Sequence, residues 1–135
     1  MKKKLNNILI IGLGMMGGSL CRSIKKNKVS KKITAFDVNS KSISYAITNK
    51  IIDQAIDNFD TMDHPDLIIL CTPLSAYISN VKKILLTVDK PTLITDIGSS
   101  KGHIHRNLIK LLYNTNKKFL SSHPMVGSEK SGIKN

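Results

Sequence analysis

Tryptophan is absent from this chain of 135 residues, and three tyrosines and three phenylalanines are its only aromatics. So small a set, 4% of the residues, leaves little on which nucleic-acid bases could stack. The two cysteines, Cys21 and Cys71, fit no zinc or disulfide framework in number or separation. No metal site is expected, and both thiols read as buried packing in a reduced, cytoplasmic protein. The opening MKKKLNNILIIGLGMMGGSL has the positive start and apolar run of a secretory signal. Gly12, Gly14, Gly17 and Gly18 interrupt it, however, and no small-residue cleavage pattern follows. No other stretch is long and apolar enough to span a bilayer. Acidic side chains are also few, nine against 21 Lys and Arg, for a net charge of +12. The lysines are scattered at predicted helix ends and turns, so the charge reads as a solvated surface that attracts anionic cofactors and substrates. Neither nucleic acid nor a membrane is expected as a partner.

What is present is an ordinary composition for one globular domain covering residues 1–135, with 41% hydrophobic and 22% charged residues. A chain of this size can bury a core without staples. Apolar runs at Asn7 to Ile11, Ile33 to Asp37, Asp66 to Cys71, Pro91 to Asp96 and Lys118 to Ser122 predict buried strands. Ile51 to Ile56 is a shorter, ambiguous run read as an edge strand. Helical spacing falls between them. Met16, Leu20, Cys21 and Ile24 predict a helix ending near Asn27, where Lys25 to Lys28 complement its carbonyl end. Asn39 or Ser40 caps a second helix, Tyr77, Val81, Ile84, Leu85 and Val88 trace a third, and Ile104, Leu108, Leu111 and Leu112 a fourth. Alternating strands and helices imply a doubly wound parallel sheet in a three-layer α/β/α Rossmann-type fold, with strand order 3-2-1-4-5-6.

Gly12, Leu13, Gly14, Met15, Met16 and Gly17 form GxGxxG between a predicted strand and a predicted helix. Gly12 permits the tight turn, Gly14 lets the backbone approach a pyrophosphate, and Gly17 lets the helix pack close to the sheet. Amides at the helix start then face the phosphates. Glycines alone also mark ordinary turns, but Asp37 ends the second strand about twenty residues further on, where a carboxylate can accept both adenosine ribose hydroxyls. A 2′-phosphate would be repelled there, so NAD is favoured over NADP, although Lys41 stands nearby. The competing reading of Asp37 is a cap for the turn before Asn39.

Strand ends four to six share the cofactor's crevice, which adds Cys71, Thr72 and Pro73 to the cofactor-binding residues. They also bring in the segments from Asp96 to Lys101 and from Ser122 to Gly132. A histidine there, His123, could take a proton from an alcohol, because imidazole titrates near neutral pH. Ser99 could hold the hydroxyl or steer the ring. The residues alone leave His123 open as an ordinary strand-end histidine. His103 and His105 are two apart, on different helix faces, and make no metal pair, while His64 sits in a polar loop.

GLGMMGGSL, DIGSSKG and above all SHPMVGSEKSG resemble the nucleotide-binding half of prephenate and arogenate dehydrogenases, the TyrA family, over nearly the whole chain. The resemblance implies NAD-dependent oxidative decarboxylation of prephenate or arogenate in tyrosine biosynthesis. It implies His123 as the catalytic residue on the ring hydroxyl and Ser99 as its orienting partner. Hydride passes to the nicotinamide, and carbon dioxide is lost to give a phenol.

The family also continues into an all-helical domain that completes the substrate pocket, supplies a carboxylate-binding arginine and makes the dimer. This chain ends at Asn135, so that domain is expected to be absent and activity of the chain alone to be small. Self-association is expected through the face so left, around Met125, Val126 and Ile133. The readings are a dehydrogenase domain, a non-catalytic NAD-binding module or truncated-gene remnant, and a basic interaction protein.

Overall fold

The computed structural model describes residues 3–99, 102–124 and 132–134. Six parallel strands form one sheet in the order β3-β2-β1-β4-β5-β6. They are β1 (Leu5–Ile11), β2 (Ser30–Phe36), β3 (Gln54–Ala55), β4 (Leu67–Leu70), β5 (Thr92–Asp96) and β6 (Lys117–Leu120). Between them run α1 (Met15–Lys26), α2 (Ser40–Thr48), α3 (Tyr77–Thr87) and α4 (Gly102–Leu112).

The alternation of side chains along a strand decides which helices cover which face. Ile8 and Ile10 of β1, Ile33 and Ala35 of β2, and Ile69 of β4 pack with Cys21 and Ile24 of α1 and Ala46 of α2. Leu9 and Ile11, Ile68 and Leu70 point the other way, against Tyr77, Val81 and Ile84 of α3 and Leu108 and Leu112 of α4. Both faces of β1 are thus covered, which is why Ile8 to Ile11 are continuously apolar instead of alternating. Burial of side chains of this size stabilises by about 1.5–3 kcal/mol each, so the central strands dominate the fold.

The expected elements are all found, with shifted boundaries. Asn39 caps α2 by accepting from the Lys41 and Ser42 amides, and α1 stops at Asn27 before Lys28, which takes φ +51°. β2 starts at Ser30, ahead of its apolar run, because Leu5 pairs with Ser30 and continues the ladder. Only Gln54 and Ala55 of the ambiguous run join the sheet, although Ile51, Ile52 and Ile56 are buried beside it. β6 ends at Leu120, so His123 lies in a segment beyond the strand rather than on it. Two short 3-10 turns, Phe59–Thr61 and Leu74–Ala76, lay below the resolution of periodicity. Among the described residues no helix is long and apolar enough to cross a membrane.

One expected surface residue is buried. Ile133 is 4% exposed, and it fills the notch over Gly18, where a Cβ would lie 2.6 Å from its Cγ1. Arg22 on the next turn of α1 donates to the Ile133 carbonyl at 2.6 Å. The residue expected to leave an apolar face open therefore seals one, while Met125 and Val126 lie outside the described residues.

A buried polar bridge ties β1 to β2. Asn7, 2% exposed, accepts from the Thr34 hydroxyl at 2.9 Å and donates to the Asp63 carbonyl at 2.8 Å. Truncation would leave the Thr34 hydroxyl and that carbonyl unpaired, at a cost of about 1–3 kcal/mol for each group so stranded. Asn7→Ala should accordingly lower the urea midpoint of unfolding with an unchanged slope; an unaltered midpoint would show that the bridge contributes nothing.

Candidate functional site

The glycine turn joins β1 to α1 through three differently constrained positions. Gly12 holds φ +101°, and a Cβ on it would stand 2.8 Å from the carbonyl carbon and oxygen of Cys71. The ends of β1 and β4 therefore approach closely only without a side chain. Gly17 is tighter still, since its Cβ would lie 1.9 Å from the Gly12 oxygen. Gly14 is the opposite case: nothing lies within 4 Å of its Cβ position. It borders a crevice of about 400 Å³, lined also by Gly12, Asp37, Cys71, Thr72, Pro73 and Lys83.

Gly14 is the N-cap of α1, with no side chain capping the helix and no acidic residue in its first turn. First-turn amides have no acceptor within a helix, and the partial positive charge of the helix end adds to their pull on an anion. Thr72 Oγ1 is buried without a hydrogen-bond partner among the described residues, at the same wall of the crevice. An uncapped helix start, free space over Gly14 and an unpaired hydroxyl fit a diphosphate. Met15 and Met16 open the helix and are half-buried, whereas the Leu13 side chain is fully buried in the core.

Asp37 lies one residue past β2 and lines the crevice. Its Oδ2 accepts from the Leu13 amide at 2.5 Å, and its Oδ1 from the Asn39 amide at 2.7 Å. Asp37 thus caps the turn before Asn39 and also lines the crevice. The carboxylate ties the glycine turn to the end of β2, and each oxygen retains acceptor capacity, since an ionised carboxylate offers about four lone-pair sites. Beside it Val38 is 93% exposed.

Sequence reasoning missed the α3 side of the crevice, formed by Ala76, Ser79, Asn80 and Lys83. The signal was present in the placement of Thr72 and Pro73 before a helix, whose first turns must then face the same opening. Lys83 also sits 5.9 Å from the Phe36 ring centroid.

Burial pushes both thiols up to about 12; for Cys71 the charges of Cys21 and Asp96 add to burial, and for Cys21 burial outweighs Arg22. Both remain protonated packing groups at neutral pH, in keeping with the sequence reading.

Ser99 follows β5 in a bend, and His123 follows β6; both are exposed at the carboxyl end of the sheet. No hydrogen bond joins their side chains among the described residues. Their backbones are joined indirectly, through Asp96 of β5. The other histidines separate as expected: His103 meets Asn107 on the outer face of α4 at 3.0 Å, while His105 packs edge-on against Phe119. His64 is half-buried.

Gly14→Ala should change stability by no more than about 1 kcal/mol, the scale of an N-cap substitution, yet fill the space where a diphosphate would rest. Gly17→Ala should cost about 1–3 kcal/mol or more as an overpacked contact. Thermal melts that ranked the two equally would contradict the geometry. A second measurement concerns alkali. Thiols whose folded pKa exceeds the unfolded value of 9.0 stabilise fully below pH 9, and that contribution is lost as pH rises toward about 12. Melting temperature should fall across that window, less steeply in Cys21→Ala and Cys71→Ala; equal slopes in all three proteins would count against it.

Residues 20–135 match the family model described as prephenate dehydrogenase, nucleotide-binding domain. The chain is 35% identical over 130 residues to a prephenate dehydrogenase of Lactococcus lactis, covering 96% of this chain and 36% of that protein. It is 30% identical over 135 residues to one of Bacillus subtilis, with 98% and 36% covered. Among solved structures, the prephenate dehydrogenase of Aquifex aeolicus in complex with hydroxyphenyl propionate and NAD+ superposes with a TM-score of 0.89 at 32% identity, over 99% of this chain and 46% of that one. The chain therefore spans about a third of the length of these curated relatives. On the family match and the superposed fold, it belongs to the prephenate dehydrogenase family, of which it forms the nucleotide-binding domain.

Proposed function

We propose that this domain binds NAD in the crevice beside Gly14 and serves the oxidative decarboxylation of prephenate or arogenate, in the cytoplasm. The observation that carries the reading is the uncapped start of α1 opening onto free space next to an acidic residue. The α1 amides and Gly14 hold the diphosphate, while Asp37 accepts the ribose hydroxyls with the lone pairs that Leu13 and Asn39 leave. A 2′-phosphate would meet the same carboxylate and be repelled, which selects NAD over NADP. Thr72 and Pro73 line the same crevice, and Cys71 lies against Gly12. When bound, the nicotinamide supplies a two-electron acceptor for the substrate's hydroxyl-bearing carbon.

His123 takes the proton of that hydroxyl, and Ser99 donates to or orients the same group. Loss of the ring carboxylate as carbon dioxide then leaves a phenol, and aromatisation drives the reaction forward. The Aquifex relative was solved in complex with hydroxyphenyl propionate and NAD+, which supports NAD as the cofactor and a phenol as the product class. Free, protonated thiols support the reducing compartment.

A second reading is favoured by the exposure of Ser99 and His123 at the carboxyl end of the sheet: a nucleotide-binding module that does not turn substrate over. Calorimetry should find NAD bound more tightly than NADP, with Asp37→Ser weakening NAD by about tenfold or more, the worth of a hydrogen bond to a charged group. Equal affinities would overturn the cofactor assignment. Addition of prephenate with NAD, followed at the NADH band, decides between the readings: binding without NADH favours the module. Where turnover is seen, His123→Asn should lower kcat by about a hundredfold or more.

A further inference from the structure

Asp96 closes β5 with its residue only 1% exposed, and the chemistry above gives its carboxylate no part. Among the described residues, the groups around it come from three parts of the chain. The Gly98 amide, one residue before Ser99, donates to Oδ2 at 3.0 Å. The Ser122 amide, one residue before His123, donates to Oδ1 at 3.1 Å. The Ser122 hydroxyl donates to the Asp96 backbone carbonyl, and the neighbouring Thr95 hydroxyl donates to the Leu120 carbonyl at 2.6 Å and lies 3.2 Å from Ser122 Oγ. Tyr77 closes the third side. Burial first, and then the charge of Asp96, push its phenol above the ordinary range. The space at Gly98 is correspondingly small, since a Cβ would lie 2.7 Å from Leu74 Cδ2 and 3.0 Å from both Asp96 Oδ2 and the Tyr77 hydroxyl.

The bond to Gly98 alone would be an ordinary local turn, an aspartate accepting from the amide two residues on. The bond to Ser122 spans 26 residues and has no such local cause. Covalent geometry fixes the two oxygens of one carboxylate relative to each other, so amides bound to them are fixed relative to each other as well. Bonds of this charge-assisted kind are roughly twice as strong as those between neutral groups. Ser99 and His123 are themselves exposed, and the nearest fixed points of each are these amides.

We propose that Asp96 is a positioning residue that holds the Ser99 turn and the His123 segment in register by binding one backbone amide from each on the two oxygens of a single buried carboxylate. The proposal rests on the reading of Ser99 and His123 as the reacting pair. It adds a residue that touches neither substrate nor cofactor, yet sets the relation between the two groups that do.

Nuclear magnetic resonance of the labelled chain tests it. In Asp96→Ala both acceptor oxygens are lost, so the Gly98 and Ser122 amides should both lose protection, with exchange about tenfold or more faster. The His123 ring signals should move with them, while Gly12 and Gly14 stay in place and NAD affinity holds within about threefold, because Asp96 does not line the crevice. Thr95→Val should disturb Ser122 and His123 and leave Gly98 unmoved. A change confined to Gly98 in Asp96→Ala, or no movement of His123, would overturn the proposal. Should that variant fail to fold, the wild-type chain still decides. Couplings across the hydrogen bonds from both amide nitrogens to the Asp96 side-chain carbon are expected, and absence of the Ser122 coupling would refute it. These signals do not depend on turnover, so loss of the catalytic reading of His123 would leave them as they are, and their loss would leave that reading to its own kinetic test.

Discussion

The approach of Gly17 to the Gly12 carbonyl is the constraint from which the rest of the site follows. A methyl group at Gly17 would overlap that oxygen, so only a bare Cα lets α1 begin this close to the end of β1. Because the helix begins there, its uncapped amides stand at the sheet's carboxyl edge, next to β4, where the strand order reverses. Move the helix outward by the width of a side chain and the crevice keeps its walls but loses its positive end. Gly12 enforces the same closeness from the other side, against the Cys71 carbonyl. Thus two of the three glycines serve packing, and Gly14 alone is left open to the crevice.

A second regularity is the work assigned to a small number of acids in a strongly basic chain. Asp37 receives the Leu13 and Asn39 amides, Asp53 the Ile33 amide together with Lys25, Asp66 the Asn6 amide, and Asp96 the amides of Gly98 and Ser122. Carboxylates placed at strand ends in this way satisfy backbone donors that leave the ladder, where an unpaired buried amide would be costly. The lysines, by contrast, mostly reach solvent. One departure is Lys117 in β6, whose ammonium donates to the Lys90 carbonyl at 2.8 Å and whose burial holds its pKa below the ordinary lysine value.

The sheet and its order were legible because periodicity is a local signal. Residues 8–11 and 67–71 are apolar throughout since both faces of those strands are covered, and the glycine spacing between a strand and a helix marked the crevice. Asp37 could be placed at the crevice from its distance along the chain, but its bond to Leu13 needed the fold. The features that escaped notice are those made between distant residues. Nothing near Asp96 in the sequence announces Ser122, and nothing near Gly18 announces Ile133, which the expectation of a face left by an absent helical domain placed on the surface and the structure buries. Boundaries shifted for the same reason: β2 is lengthened by its pairing with Leu5, not by its own hydrophobicity.

The seating of Ile133 on α1 has a mechanical consequence. Ile133 is wedged over Gly18 and its carbonyl is held by Arg22, so it sits on the same helix whose first turn opens on the crevice. A shift of α1 would therefore be felt at Ile133 and at the crevice together, as a lever feels load on either arm.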